Sequence, residues 1–564
     1  MNIQSAEQSP ESATRQRPAL VRGRSVHFGG VAAITALTAG IYSVYSLVLY
    51  ATYRDSSYDL VIFDQAVRSY AHLHLGVSPI KGVAAGFGPH FSVMSDHFSP
   101  VLALLAPLYW IYNGPQTLLV AQAVLFALAI PPLWIFTRRA LGGSGRKATI
   151  AAYLVSVAYA IGWPLASAAA FDFHEVAFAP VLTAVALERL QAGRLRPALI
   201  ALAGLLLVKE DMGLLVAGIG IYLAVSLSPS MRKQRMVGIV LVVVGVAYTA
   251  FATYVLIPAF GGRADNYWAY SHLGHNVPQV IWHIVRHPLS SLQVMFQPGE
   301  KLRTMAWLAG ALCFLPLLSP IVLAALPLIL ERMLSTRFSN WWTTDWQYNA
   351  YLLVILVCAA VDAAARLDRW VARAWKHYSA KRMLSVDGHA DVAHAAAAPT
   401  GEEVPAAEVP AAWASVSGAG ATRAKSHWVR RGVVALGCCV AMCLAALWTF
   451  PRFSMGEMLH SSFYQQTPQS RAEALADALV PSGVVVEAAE DVGPELSGRD
   501  TVLLWDGQQA PLGSPWIVAN VWHHEFTFHS IGAQKERVAL LLHSGYKIVF
   551  QRHGYVVLHR SSAQ

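Results

Sequence analysis

The sequence predicts a mainly α-helical, polytopic membrane protein with a small C-terminal α/β domain. Of its 564 residues, 55% are hydrophobic and only 13% are charged, whereas soluble domains carry about 25% charged residues. Long apolar runs recur along the chain and are separated by basic loops, a pattern typical of membrane-spanning helices. The composition therefore argues against a soluble enzyme, a disordered protein and a fibrous repeat.

The formal net charge of +9 arises from 42 Lys and Arg residues against 33 Asp and Glu residues. Many basic residues lie in loops between apolar runs, where they favour the cytoplasmic side of a membrane. We therefore attribute the positive charge to topology and expect no nucleic-acid partner. All five cysteines lie within apolar runs, so the sequence indicates no disulfide framework.

The first apolar run, 31–50, follows a polar, basic tail and predicts a first span with a cytoplasmic N-terminus. It lacks the cleavage site of a signal peptide. With the later runs, about 11 spans result, and every strongly basic loop then lies on the cytoplasmic side. The run at 100–112 is expected to be re-entrant or interfacial, because roughly 13 helical residues cover only about 20 Å of a ~30 Å hydrocarbon core. A hairpin of two short helices is predicted over 303–334.

Five regions follow from this pattern. Residues 1–28 form a cytoplasmic tail, and 29–370 form the transmembrane domain. Residues 371–431 form a basic and then disordered cytoplasmic linker, rich in Ala, Pro and Glu. The last span covers 432–450, and 451–564 form an extracytoplasmic domain, since an odd number of spans places the two termini on opposite sides.

The C-terminal region alternates short apolar runs with turn residues and predicts an α/β domain. The predicted strands lie at 483–487, 501–505, 516–520, 546–550 and 555–559, and the predicted helices at 469–478 and 534–543.

Polar side chains are few near the apolar runs, and they gather at corresponding ends of the spans. The predicted topology places all of these groups on the outer face, and charges close to membrane depth commonly mark a site. The groups are Asp59 and Asp64; Asp96 and His97; Asp172, His174 and Glu175; Lys209, Glu210 and Asp211; and Asp345, Gln347, Tyr348 and Asn349.

Asp64 is the preferred general base for an acceptor hydroxyl, with Asp59 as the alternative. The two carboxylates are five residues apart and point about 140° apart on a helix, so only one faces a substrate. The other is then a cap or a loop contact.

The remaining groups suit substrate binding. Lys209 is expected to bind a phosphate, with Glu210 or Asp211 orienting it, although a simple hydrated turn is the alternative. His174 suits hydrogen bonding to a phosphate or a sugar. A divalent metal ion bound by the histidines and carboxylates of this set is an alternative, although their spacing matches no metal motif. Aromatic residues near Tyr348 suit a sugar or a prenyl chain, or else a belt at the membrane interface.

Several motifs occur in order and resemble a bacterial and archaeal family of polytopic membrane proteins defined only as a domain of unknown function. The resemblance covers about 30–370 and part of the C-terminal domain, where Pro494-Glu-Leu-Ser-Gly-Arg-Asp500 is similar to a family segment. Glu175 departs from the pattern, which has proline there. The main motifs are Tyr58-Asp-Leu-x-x-Phe-Asp-Gln-Ala, His97-Phe-Ser-Pro, Phe171-Asp-Phe-His, Val208-Lys-Glu-Asp-x-Gly213, Leu318-Ser-Pro320 and Tyr348-Asn349.

That family resembles the GT-C glycosyltransferase superfamily, which includes protein mannosyltransferases and aminoarabinose transferases. The resemblance implies a GT-C-like fold, a polyprenyl-phosphate sugar donor and an acidic motif in the first outer loop. Phe63-Asp64-Gln65 is similar to that motif, with Gln where many relatives carry Glu.

The resulting expectation is a glycosyltransferase of the bacterial plasma membrane. Its partners would be the donor, membrane lipids and an envelope acceptor. A secondary transporter or lipid flippase, and a non-catalytic envelope protein, are the alternatives. A transporter would carry charges near mid-membrane and inverted repeats.

Overall fold

The computed structural model describes residues 18–54, 58–143, 145–226, 232–395, 432–507 and 513–561. Most of the described chain is helical. The α-helices are α1 (Pro18–Ala51), α2 (Tyr58–Ala71), α3 (Pro79–Ala84), α4 (Ala106–Tyr109), α5 (Gln116–Ala127), α6 (Ile130–Ala140), α7 (Arg146–Ala160), α8 (Trp163–Ala170), α9 (Phe178–Gln191), α10 (Leu195–Leu206), α11 (Met212–Ser226), α12 (Arg232–Phe251), α13 (Ile257–Ala259), α14 (Val277–Arg286), α15 (Pro288–Phe296), α16 (Gly299–Gly310), α17 (Leu326–Leu334), α18 (Ala350–Ala395), α19 (Val433–Thr449), α20 (Pro468–Asp477), α21 (Gly493–Ser497) and α22 (Ile531–His543).

Six helical segments in the described ranges are long and apolar enough to cross a membrane. Two of them coincide with the predicted first span, 31–50, and the predicted last span, 432–450. The segments are His27–Ala51, Gln116–Ala140, Arg146–Ala170, Arg232–Ala259, Gln347–Trp375 and Val433–Arg452.

The other predicted spans are shorter helices. α9, α10 and α11 contain 14, 12 and 15 residues, and α16 and α17 contain 12 and 9, against the roughly 20 residues of an ordinary span. The total of about 11 spans therefore stays a prediction. The predicted non-spanning run contains only the 10-residue helical segment Pro100–Tyr109, in agreement with its short length.

The six long segments occupy different environments. In the most apolar 18-residue stretch of Gln347–Trp375, 83% of the residues are buried within the protein, which places this segment at the centre of the bundle. In Arg232–Ala259 the corresponding share is 17%, so this segment lies at the periphery. The exposed apolar side chains of this segment suit contact with lipid.

Glycines allow α11 and α12 to approach each other closely. A Cβ on Gly213 would lie 2.4 Å from the carbonyl oxygen of Gly245, and one on Gly220 would lie 2.6 Å from that of Gly238. Both distances are far below a van der Waals contact, so only glycine fits at these crossings. Small residues commonly allow such backbone contact between membrane helices.

The C-terminal domain contains a five-stranded mixed sheet of order β2-β1-β3-β5-β4. The strands are β1 (Val485–Ala488), β2 (Thr501–Leu504), β3 (Trp516–Asn520), β4 (Lys547–Arg552) and β5 (Tyr555–His559). β1 pairs in parallel with β2 and β3, and β5 pairs antiparallel with β3 and β4. All five predicted strands and both predicted helices of this α/β domain are confirmed within a few residues.

This domain packs directly on α2 of the helical bundle. The side-chain amide of Gln65 donates to the carbonyl oxygen of Val502 at 2.9 Å, and a Cβ on Gly493 would lie 3.1 Å from Val61. The chain therefore brings two regions more than 400 residues apart into contact.

The predicted linker differs from the structure at its beginning. α18 continues to Ala395, into the predicted linker of 371–431, in which the sequence predicts disorder from about 386. Alanine has the highest intrinsic helix propensity, which explains helix in this Ala-rich stretch. The rest of the predicted disordered linker, 396–431, and the first part of the predicted N-terminal tail, 1–17, lie outside the described residues.

Candidate active site

A cavity of about 520 Å³ lies among α11, α12, α14 and α17 and the loops around them. Its volume is in the range of small-molecule pockets, which is about 300–1,000 Å³. Six of the predicted site residues line this bundle cavity, and they are Asp96, His97, Lys209, Glu210, Asp211 and Tyr348. The structure thus brings together groups from three separate sequence motifs.

The bundle cavity has an apolar wall and a charged end. The apolar wall includes Val246 and Ala250 of α12, Val280 and Ile281 of α14, and Leu330 of α17. The charged end consists of the acidic and basic residues around the turn between α10 and α11. Such a combination suits a ligand with an apolar part and a charged part.

Lys209 and Glu210 have different partners within this charged end. The Lys209 Nζ lies 3.4 Å from Glu175 Oε1, and Lys209 is 7% exposed. Glu210 Oε1 lies 2.7 Å from His97 Nδ1, and its Oε2 accepts a hydrogen bond from the backbone N–H of Phe98 at 3.1 Å. Glu175, rather than Glu210 or Asp211, therefore makes the ion pair with Lys209.

Asp96 is held by a lysine and a tyrosine. Its Oδ2 lies 2.9 Å from Nζ of Lys81 in α3, and its Oδ1 accepts a hydrogen bond from the Tyr267 hydroxyl at 2.8 Å. The Tyr267 ring stacks on His97, with 4.6 Å between the centroids. These contacts connect the loop at 96–97 to the loop that follows α13.

Asp59 forms a carboxylate–imidazole pair with His174. The distance from Asp59 Oδ2 to His174 Nε2 is 3.2 Å, and the side chains are 35% and 6% exposed, respectively. Phe171 stacks on the His174 ring at 5.0 Å and Phe63 contacts it edge-on at 5.4 Å, so the imidazole orientation is fixed by packing. The carboxylate of Asp59 is therefore both oriented and accessible.

Charge pairing determines the ionisation of these carboxylates. Burial raises the pKa of Asp59, but its hydrogen bond with His174 and the charges of His174 and Lys81 outweigh burial and lower it. Burial raises the pKa of Glu210 as well, and the adjacent His97 reverses this effect and lowers it. For Asp211, the charges of Lys209 and His97 offset burial only in part, and burial together with the charge of Glu210 raises its pKa to about 6.

The ionisation of Lys209, a cation at the charged end of the bundle cavity, likewise depends on its neighbours. Burial alone would lower the pKa of Lys209, but the charges of Glu175 and Asp211 hold it well above its usual range. Lys209 is therefore a permanent cation that lines the bundle cavity.

Asp64 lies apart from this cluster, in the contact between α2 and the C-terminal domain. It is 0% exposed. Its Oδ1 accepts from the Tyr109 hydroxyl at 2.8 Å, and its Oδ2 pairs with Arg68 at 2.7 Å. Burial raises its pKa, while Arg68, Tyr109 and a hydrogen bond with Ser497 oppose this effect. These contacts hold the Asp64 side chain in place on both carboxylate oxygens, and its role as a base stays a prediction.

Asp172 is buried and does not line the bundle cavity. Its backbone has φ +69°, in the left-handed region that non-glycine residues rarely adopt. Gln122 holds this turn, since its side chain donates to the Asp172 carbonyl at 2.6 Å and accepts from the His174 N–H at 3.2 Å. The turn thereby directs His174 toward Asp59.

Arg332 fixes the loop that carries Tyr348 and Asn349. The guanidinium donates to the carbonyl oxygens of Trp341 and Tyr348 at 2.5 and 2.7 Å, and to Asn349 Oδ1 at 2.9 Å. Asn349 therefore supports the loop, whereas Tyr348 lines the bundle cavity.

Sequence reasoning missed Lys81, Glu331 and Arg332, of which the last two line the bundle cavity. The signal for Glu331 and Arg332 was present, because a charged pair within an apolar run is as unusual there as it is at 209–211. Lys81 carries no comparable signal, since it lies in a mixed segment.

No group of three or more His, Cys, Asp and Glu side chains within the described ranges is arranged to hold a metal ion. His97 and His174 instead each pair with one carboxylate.

Two comparisons with known proteins give matches, and the comparison with curated proteins gives none. Among solved structures, ArnT from Cupriavidus metallidurans bound to undecaprenyl phosphate is 15% identical, with a TM-score of 0.47. The alignment covers 94% of this chain and 98% of the ArnT chain. The apo state of the same protein gives 14% identity, a TM-score of 0.46 and coverage of 96% and 98%. Residues 49–385 match DUF2079, described as a predicted membrane protein. Because this match covers more than half of the chain, the protein belongs to the DUF2079 family of membrane proteins.

Proposed function

We propose that this protein is a membrane glycosyltransferase, which transfers a sugar from a polyprenyl-phosphate donor to an acceptor on the outer face of a bacterial plasma membrane. The observation that supports this most directly is the bundle cavity, in which an apolar wall meets a charged end. Asp96 of this end lies close enough to Asp59 for its charge to act on the Asp59 carboxylate. A lipid-linked phosphosugar has the same two-part chemistry.

The donor would bind with its prenyl chain along the apolar wall and its phosphate at the charged end. Lys209, Arg263 and Arg332 are cations that line the bundle cavity. Lys209 would exchange its 3.4 Å contact with Glu175 for the phosphate. A fixed cation next to the leaving phosphate stabilises the charge that develops as the glycosidic bond breaks.

Asp59 would act as the general base. Its lowered pKa keeps it ionised at neutral pH, and His174 holds its orientation. In the reaction, Asp59 accepts the proton of the acceptor hydroxyl while that oxygen forms a bond to the anomeric carbon. The bond from this carbon to the phosphate oxygen breaks, and the polyprenyl phosphate leaves with the electron pair.

The test uses membranes from a strain that lacks this gene, complemented with the wild type, Asp59→Asn or Asp64→Asn. Radiolabelled polyprenyl-phosphate sugars are supplied, and label in the envelope fraction is measured per amount of folded protein. We expect transfer with the wild type and Asp64→Asn, and loss with Asp59→Asn. Loss with Asp64→Asn alone would instead assign the base to Asp64. Absence of transfer by the wild type with a panel of donors would reject the transferase.

A further inference from the structure

A second cavity, of about 430 Å³, lies between the end of α1 and the C-terminal domain. Four carboxylic acids line it, namely Glu473, Glu490, Asp491 and Glu525. We refer to it as the acidic cavity. Tyr53 and Arg54 form the wall on the bundle side, and His523 and His524 lie exposed at the rim.

The hydrogen bonds around Tyr555 require a shared proton in the acidic cavity. The single Tyr555 hydroxyl lies 2.8 Å from Glu473 Oε2 and 2.7 Å from Asp491 Oδ2. One hydroxyl donates one proton, so one of the two carboxyls must be protonated and donate to the tyrosine oxygen. Asp491 Oδ2 also accepts from the Asn520 amide at 2.9 Å, which favours the ionised form of Asp491 and the protonated form of Glu473.

Two acceptor atoms of this pair have no donor within the described ranges. Glu473 is 2% exposed and its Oε1 makes no hydrogen bond, and the same holds for the buried Oδ1 of Asp491. A buried acceptor without a partner costs about 1–3 kcal/mol. Both side chains line the acidic cavity, so a ligand with hydrogen-bond donors would satisfy them there.

Arg54, the only Lys or Arg side chain among the described lining residues, is already committed. Its guanidinium pairs with Glu457 at 3.6 Å and donates to the Phe463 carbonyl and, at 3.1 Å, to Thr52. The acidic cavity therefore has more carboxyl groups than basic side chains to pair with them, and it contains unsatisfied acceptors. No set of three ligands in the described chain converges as a metal site would require.

We propose that the acidic cavity binds the primary ammonium group of an organic amine. An ammonium group carries one positive charge and three N–H donors and no acceptor, which matches ionised carboxylates with free oxygen atoms. The volume leaves room for an organic body of several non-hydrogen atoms. The ammonium group would belong either to a soluble amine, such as an amino sugar, or to a lipid headgroup such as phosphatidylethanolamine.

Binding should release a proton, because the ammonium replaces the proton that Glu473 and Asp491 share. Burial, together with the charge of Asp491, raises the pKa of Glu473 to about 10, and burial raises that of Glu525 to about 8 and that of Glu490 to about 7. Amine affinity should therefore increase as the pH rises from 6 to 8. The groups that line the cavity or act on Glu473 are Tyr53, Arg54, Asp477, Glu490, Asp491, His523, His524, Glu525 and Tyr555.

The acidic cavity is close to the candidate base, because the charge of Asp59 raises the pKa of Glu490. If the proposed transfer is correct, the bound amine would be the acceptor. Only this assignment of the amine rests on the proposed function. Amine binding itself requires no donor and no transfer, so the two ideas fail separately.

The test measures calorimetric binding to the full-length protein in phosphatidylcholine nanodiscs. Glucosamine and ethanolamine are the probes, and N-acetylglucosamine is the control that lacks the ammonium group. Titration in buffers of different ionisation enthalpy counts the protons released. A parallel arm compares thermal unfolding in nanodiscs with and without phosphatidylethanolamine, which distinguishes a lipid headgroup from a soluble amine.

Glu473→Gln and Asp491→Asn test the site, with the exposed Glu536→Gln of the same domain as the matched control. Glutamine resembles the protonated carboxyl, so Glu473→Gln should fold. We expect the two site variants to weaken amine binding by about tenfold or more and to abolish proton release, since a charged hydrogen bond is removed. Glu536→Gln should bind as the wild type does.

Three outcomes would overturn the proposal. These are equal binding of amines by the wild type and the site variants, preference for Mg²⁺ or Ca²⁺ over amines, and the absence of any amine-dependent effect in both arms.

Discussion

The two cavities use carboxylates in opposite ways. In the bundle cavity and beside it, three acidic groups pair with a lysine or an imidazole, namely Asp96 with Lys81, Glu210 with His97 and Asp59 with His174. In the acidic cavity, Glu473 and Asp491 share one tyrosine hydroxyl and lie close to further carboxyls. Pairing lowers the pKa of Asp59, Asp96 and Glu210, although burial opposes it, whereas crowding adds to burial and raises the pKa of Glu473.

This difference separates two kinds of chemistry. A paired carboxylate stays ionised at neutral pH and is available as a base or as an ion-pair partner. A crowded carboxyl keeps its proton until a cation arrives. Burial by itself therefore says little about the role of a carboxylate, because its neighbours decide the outcome.

The largest expected effect concerns the paired site. Asp59→Asn should lower sugar transfer by about 10²–10⁴-fold, the usual contribution of a general base. The thermal unfolding midpoint should change little, since Asp59 is 35% exposed. Transfer assays and differential scanning fluorimetry on the same preparation measure both. Transfer at the wild-type rate would remove Asp59 from the mechanism.

Breaking one buried pair should destabilise the bundle. Lys209→Gln leaves Glu175 buried without its cation, which costs about 3–5 kcal/mol in comparable pairs. The double variant Lys209→Gln with Glu175→Gln should recover much of this loss, because both charges are then removed. Denaturation of the purified variants in detergent gives the free energies of unfolding. A double variant no more stable than the single one would argue against a coupled pair.

A smaller effect is expected at the contact between the bundle and the C-terminal domain. Asp64→Asn weakens the interactions with Arg68 and Tyr109 and should destabilise the protein by about 1–3 kcal/mol. Limited proteolysis should release the C-terminal domain faster than in the wild type. Unchanged protection would mean that Gln65 and its neighbours hold the domain without Asp64.

The smallest effect concerns the crowded site without ligand. The pKa of Glu473 is raised from 4.5 to about 10, so its protonated form stabilises the fold at low pH, and this contribution falls as the pH rises from about 4.5 toward 10. Glu473→Gln cannot lose a proton and should raise the unfolding midpoint relative to the wild type more at pH 8 than at pH 5. A pH-independent difference between the two proteins would contradict the shared proton.

The C-terminal domain shows which structural features short sequence patterns predict. Each strand was predicted from a short apolar run between turn residues, and β3 and β5 were predicted at their observed bounds. The strand order was not predicted, because pairing depends on contacts between segments distant in the chain. The long spans were also predictable, since length and apolar composition suffice to identify them.

The candidate site was predictable only in part. Charged groups near apolar runs pointed to Asp59, His97, His174 and Lys209, because charges there are costly and need a reason. Their partners were not predictable, since Glu175 rather than Glu210 contacts Lys209. The preference for Asp64 over Asp59 rested on the neighbours of Asp64, which suit a helix packed against a cavity, and it stays a prediction. Helical geometry allowed only that the two residues face different surroundings.

By itself, the sequence determined that this chain is a helical membrane protein with an α/β domain after its last predicted span, because hydrophobic periodicity and composition act locally. Tertiary structure alone decided which carboxylates meet cations and which meet one another. That choice fixes their ionisation and hence their chemistry, since electrostatic interactions depend on distance in space and not on separation along the chain.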